Sequence, residues 1–210
     1  MAHVRVAGEA GARGALRAGR RLEWFTLGWN VIEGVVSVGA GAMAGSTALV
    51  GFGVDSFIES ASGGVLLWRL QDHEDHHRRE ELALKLVGAS FFLLAAYVAW
   101  EAAGALVLHE PPEASWPGIV IAALSLVVMP WLARRKRRVA GDLGSRALVA
   151  DSRQTDLCAY LSAILLGGLL LNALLGWWWA DPVAALVMAP IIANEGREAW
   201  RGEACDGSCH

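Results

Sequence analysis

Apolar residues run along this chain in stretches of about 20, separated by short polar connections, a length that suits helices crossing a bilayer. Six stretches stand out: Leu22 to Met43, Thr47 to Leu70, Leu82 to Leu108, Trp116 to Ala133, Leu148 to Leu175 and Pro182 to Trp200. The expected fold is therefore all-α, a polytopic membrane protein of six transmembrane helices, with Pro190 kinking the last. Residues 22–200 read as one membrane domain. Residues 1–21 form a basic, Gly- and Ala-rich lead-in, and residues 201–210 a Cys- and His-bearing tail too short to bury a core of its own.

Composition agrees, with 55% hydrophobic and only 19% charged residues and a mean hydropathy of +0.39. Basic residues give the expected orientation, because loops rich in Lys and Arg stay in the cytoplasm. They gather before the first stretch (Arg5, Arg13, Arg17, Arg20, Arg21), after the second (Arg69, Arg78, Arg79, Lys85) and after the fourth (Arg134 to Arg138, Arg146), while the connections 44–46, 109–115 and 176–181 contain neither Lys nor Arg. Both termini are thus expected in the cytoplasm, and the expected location is a bacterial-type inner (plasma) membrane. Trp24, Trp68, Trp116, Trp131, Trp177 to Trp179 and Trp200 fall near stretch ends, as aromatic belts do. Arg20-Arg21 before an apolar run resembles an export signal, but the run is long and holds Asn30 and Glu33, so it is expected to be retained. The basic run at 134–138 faces lipid headgroups or simply fixes topology. Membrane lipid is an expected partner and nucleic acid is not. A disulfide framework is not expected for Cys158, Cys205 and Cys209.

The chemistry begins with Asp55 and Glu59, one helical turn apart inside the second stretch. A charge at the bilayer centre costs about 2.5–3.5 kcal/mol on insertion scales, so intramembrane acids usually mark an ion path; the alternative is an interhelical hydrogen-bonding pair. At about 1.5 Å per residue, Asp55 lies roughly 13 Å from Ser46 and Cys158 roughly 18 Å from Arg146 at the other end, which in a core of about 30 Å brings them to a similar level. Asp151, Gln154, Thr155, Cys158 and Ser162 share a helical face, whereas Asp156 points elsewhere. The bland readings are a packing role for Cys158 and a cap or a pair with Arg153 for Asp151. Asn30 and Glu33 line the path or bond neighbouring helices. Gly28, Gly34, Gly39, Gly41, Gly63 and Gly64 read as close helix packing. His73, His76 and His77, and the tail residues Cys205, Cys209 and His210, have the composition of cytoplasmic metal capture, against a plain solvated charge run.

In order and spacing these residues resemble the cation diffusion facilitators, six-helix exporters of zinc and related divalent metals. The likeness rests on Gly45-Ser46-Thr47-Ala48-Leu49 followed by Asp55 and Glu59, on Glu81 after the His-rich loop, on Ala150-Asp151 opening the fifth helix, and on Asp181-Pro182 opening the sixth. Within the family the chain is similar to the transmembrane-protein-163-like branch. The resemblance implies a secondary transporter rather than an enzyme, a homodimer, and a metal site shared by the second and fifth helices. Gln154 and Cys158 stand where the family usually has His and Asp, so Asp55, Glu59, Cys158 and either Gln154 or Asp151 are the expected ligands. The family's cytoplasmic domain is expected to be lacking. Zinc or another divalent cation is the implied cargo and protons the counter-ion, because metal must displace protons from such carboxylates to bind. A transport-inactive scaffold or accessory subunit of the same fold is the alternative. With no intramembrane His there is no motif for a membrane-embedded hydrolase.

Overall fold

The computed structural model describes residues 2–69, 77–143 and 146–201, and all of its regular structure is helical. Six helices follow one another: α1 (Ala2–Ala44), α2 (Thr47–Arg69), α3 (His77–Leu108), α4 (Trp116–Leu143), α5 (Arg146–Leu175) and α6 (Ala180–Arg201). Their breaks have local causes. Gly45 adopts φ +67°, a left-handed conformation that glycine accepts without steric cost, and the Ser46 N–H turns back to the Gly41 carbonyl at 3.0 Å. Ser46 then caps α2, its Oγ accepting the Leu49 N–H at 3.1 Å. Gly176, with φ +65°, ends α5 in the same way. Ser115 caps α4 by accepting the Gly118 N–H at 3.2 Å.

Helices α3 and α6 pack together, as do α4 and α5, and α1 lies against both α2 and α4. Some of these contacts need glycine. A Cβ on Gly88 of α3 would stand 2.8 Å from the Gly196 carbonyl of α6, and one on Gly41 of α1 would stand 2.8 Å from the Val50 nitrogen of α2. Gly34 is equally tight against Phe57. The expected packing role does not extend to Gly28, Gly39 and Gly64, where nothing lies within 4 Å, and Gly63 makes only an ordinary contact.

Burial is inverted relative to a water-soluble bundle. Glu23, Glu33, Asp55, Glu59, Lys136, Asp181 and Glu195 are buried, while Trp24, Met43, Leu93, Trp100, Val107 and Val127 are exposed. Charged residues are almost never fully buried unless paired, and so wide an apolar exterior suits lipid rather than water. The chain is an integral, multi-pass membrane protein.

The expectation of six crossings is corrected. Among the described residues, four helices are long and apolar enough to cross a membrane: Gly14–Ala44, Gly88–Leu108, Trp116–Leu143 and Asp151–Leu175. Helices α2 and α6 exist at the predicted places but do not qualify. Asp55 and Glu59, with serines and glycines, interrupt the apolar run of α2; Asp181, Asn194, Glu195, Arg197 and Glu198 do so more heavily in α6. The length of their apolar stretches alone counts both as spans. Four crossings, like six, are an even number and leave both ends of the described chain on one side of the membrane. The lead-in is also helical, since α1 is continuous from Ala2, and α6 runs unbroken through Pro190.

Candidate metal centre

Helices α2 and α6 are pinned together where both begin. Ser46 donates its hydroxyl to the Asp181 carboxylate, whose second oxygen faces the Ala48 N–H at 3.5 Å. From this pin the two helices run in step. Glu59 is thirteen residues past Ser46 and Glu195 fourteen past Asp181, so at about 1.5 Å per residue each lies roughly 20 Å along its helix. The register brings three acids together: Asp55, Glu59 and Glu195 each place a carboxylate oxygen within 4.8 Å of the others. All three are buried, Asp55 completely.

Hydrogen bonding does little for this cluster. Glu59 Oε2 accepts from Asn30 Nδ2 at 3.2 Å, but both oxygens of Asp55, both of Glu195 and Oε1 of Glu59 have no partner among the described residues. An unpaired buried polar atom forfeits its hydration without return, and like charges so close in a low dielectric repel strongly. A cation resolves both problems. Zinc takes carboxylate oxygens at about 2.0–2.2 Å, which in a tetrahedral set places ligand oxygens roughly 3.4 Å apart; the observed spacing contracts to that by small side-chain movements. The donors are hard oxygens, which equally suit manganese.

A hydrogen-bonded layer surrounds the cluster. Glu33 accepts from Ser56 Oγ at 3.1 Å and from the Ser125 hydroxyl, which itself accepts from Trp29 Nε1 at 3.0 Å. Ser56 follows Asp55 on α2, so Glu33 fixes the rotation of that helix from α1. Cys158 on α5 is fully buried with its Sγ 4.0 Å from Glu33 Oε2.

The predicted ligands therefore separate. Asp55 and Glu59 lie together. Asp151 is held by Lys136 of α4, whose Nζ stands 2.5 Å from Asp151 Oδ2, rather than by Arg153. Gln154 is half-buried and lines a cavity with Glu59 and Asp151. Asp156 pairs with Arg137 at the surface. His73, His76, Cys205, Cys209 and His210 lie outside the described residues, as does the side chain of His77. Glu195 was not among the expected ligands. Its signal was present in the spacing Asp181, Ala185, Met188, Ile192, Glu195 and Ala199, a repeat of four and three that is one buried helical face; the neighbouring Arg197 and Glu198 made it look like a polar helix end.

The chain matches the cation efflux transmembrane domain family over residues 24–201. It belongs to that family, the cation diffusion facilitators, whose members are secondary transporters and not enzymes. Individual relatives are more distant. The cation-efflux pump FieF of Shewanella oneidensis is 27% identical over 125 residues, 59% of this chain and 42% of that protein. Transmembrane protein 163 of Xenopus laevis is 23% identical over 178 residues, 83% of this chain and 63% of the relative. A Bacillus subtilis protein named a cadmium, cobalt and zinc/H(+)-K(+) antiporter is 27% identical over 125 residues, covering 58% and 39% of the two chains. The chain spans about half the length of the curated relatives it matches, from 42% to 61% for the first three.

Proposed function

We propose that this chain exports a divalent metal cation, zinc foremost, in exchange for protons, by alternating access around Asp55, Glu59 and Glu195. The observation that carries this reading is the triad itself: three buried carboxylates within 4.8 Å whose oxygens, one excepted, find no donor among the described residues. Such a site is neutralised either by protons or by a metal ion, and the two exclude each other. Exchange of one for the other at a site reached alternately from each side is antiport. The names of two relatives, a cation-efflux pump and a zinc-transporting antiporter, point the same way.

Zinc rather than a purely oxygen-seeking ion is favoured by Cys158, a buried soft ligand whose Sγ lies 4.0 Å from Glu33 Oε2. Asp151 and Gln154 serve the approach to the site in this reading rather than the site itself. The match to transmembrane protein 163 over most of the chain supports placement in that branch. A homodimer in a bacterial inner membrane completes the proposal. The decisive experiment is zinc uptake into proteoliposomes holding the purified chain, beside Asp55→Ala. Loss of uptake in the variant is expected. Uptake equal to wild type would remove the triad from the transport path, and a wild-type chain with no measurable affinity for zinc, cadmium or manganese in calorimetry would leave a transport-inactive scaffold as the better description.

A further inference from the structure

A second buried cluster lies closer to the basic end of the bundle. Lys136 of α4 is wholly buried, with Nζ 2.5 Å from Asp151 Oδ2 on α5 and 3.3 Å from Glu23 Oε2 on α1. Two carboxyl groups face one ammonium, and Glu23 Oε1, in a residue 1% exposed, has no partner among the described residues.

Two members of this cluster, Glu23 and Asp151, line one cavity with a single member of the triad, Glu59. Glu23, Asn30, Glu59, Asp151, Gln154 and Thr155 line it. Helices α1 and α5 both ascend from the basic end, so Glu23 to Asn30 and Asp151 to Thr155 form two polar edges leading inward, and the Asn30 amide meets Glu59 at the top. Asn30 Oδ1 and Glu59 Oε1 are buried without partners among the described residues. The cavity volume is about 10 Å³, the room of about one water-sized particle. A fully hydrated ion does not fit there; one that exchanges its water for side-chain oxygens does.

We propose that Glu23 and Asp151 form a second divalent-cation site, an access site on the way to Glu59, and that the Lys136 ammonium is its tethered placeholder. A small divalent cation with oxygen ligands competes for the same two carboxylates, carries twice the charge, and displaces the ammonium, whose flexible stem lets it swing aside. When the ion moves on to Glu59 the ammonium returns. Lysine thus keeps the buried acids compensated between ions and prevents the access site from retaining metal. The location of the site rests on Lys136, Glu23 and Asp151 alone; its role in access rests on the transport reading above.

The test is calorimetric titration of the full chain with zinc and with manganese, comparing wild type, Lys136→Met, Asp55→Ala and the double variant. Lys136→Met is expected to bind one more ion per chain than wild type, and the double variant one more than Asp55→Ala. No additional ion in either comparison overturns the proposal, whereas loss of an ion between wild type and Asp55→Ala reports only on the triad. Because Lys136→Met leaves two acids uncompensated, Lys136→Arg provides a charge-preserving second variant. Its fork-shaped cation grips carboxylates through two parallel bonds, so stopped-flow association of zinc, followed by tryptophan fluorescence, is expected to slow about tenfold with the final affinity unchanged. An association rate equal to wild type overturns the proposal independently of folding yield.

Discussion

The bundle buries two groups of carboxylates and neutralises them in different ways. Glu23 and Asp151 hold the ammonium of Lys136 between α1, α4 and α5. Asp55, Glu59 and Glu195, on α2 and α6, have only the Asn30 amide as a donor among the described residues. The first group carries its counter-charge on the chain; the second must take it from outside. That difference separates a site with a resident cation, which an arriving ion has to displace, from one whose counter-charge comes only from outside.

The comparison is broken most forcefully at Lys136. Lys136→Met strands two buried acids without a cation, and removing one partner of a buried pair typically costs about 3–5 kcal/mol. Thermal unfolding in detergent without metal should show the variant far less stable than wild type, and adding Glu23→Gln and Asp151→Asn should restore most of the loss. If Lys136→Met unfolds at the wild-type temperature, the ion pair is not a structural requirement.

At the triad the same operation should have the opposite sign. Glu195→Gln removes one of three mutually repelling acids, so metal-free stability should be unchanged or higher. Divalent affinity should fall roughly ten- to hundredfold, or about 1.4–2.8 kcal/mol. Because a ligand that binds only the folded state raises the unfolding temperature, saturating zinc should stabilise wild type and give a much smaller shift in the variant. A zinc-induced shift equal to wild type would place the metal elsewhere. Asn30→Leu should act in the same direction but less, about tenfold in affinity, as expected when a hydrogen-bond partner of a ligand is lost; an affinity within twofold of wild type would show that Asn30 does not orient Glu59.

How much of this was legible beforehand differs between the two groups for a physical reason. Helix positions were readable because apolar length and the turn residues Gly45-Ser46 and Gly176 act locally, and Asp55 with Glu59 stood out against apolar surroundings. Helical spacing put Asp151 and Gln154 on one face of the fifth helix, and both line a cavity with Glu59. What counting along single helices could not supply was the pairing between helices. Lys136 sits in a run of five basic residues that reads as a cytoplasmic flank, so nothing local marks it as the one turned inward. The spacing from Asp181 puts Glu195 on the buried face of α6, but its place beside Asp55 and Glu59 follows only when Ser46 and Asp181 are known to touch, which sets α2 and α6 in register. The number of membrane crossings was misread where polar residues interrupt an apolar run, at Asp55 and Glu59 in α2 and at Asp181, Asn194, Glu195, Arg197 and Glu198 in α6.

The smallest effect should come from the Arg137–Asp156 pair, and it separates burial from mere opposite charge. Arg137 is adjacent to Lys136 on α4 and pairs with Asp156, one helical turn and one residue past Asp151 on α5, so the same two helices are joined twice. Arg137 is 46% exposed and Asp156 28%, against 0% and 13% for Lys136 and Asp151. Exposed pairs are screened and contribute about 0–1 kcal/mol, so Asp156→Asn should change the unfolding temperature little, with zinc affinity and uptake as in wild type. Raising salt from low to high should reduce even that small difference, while leaving the Lys136→Met penalty nearly intact because buried charges are poorly screened. Were Asp156→Asn to match Lys136→Met in cost, the contrast would lie in the α4–α5 contact as a whole and not in the enclosure of Lys136 between two acids.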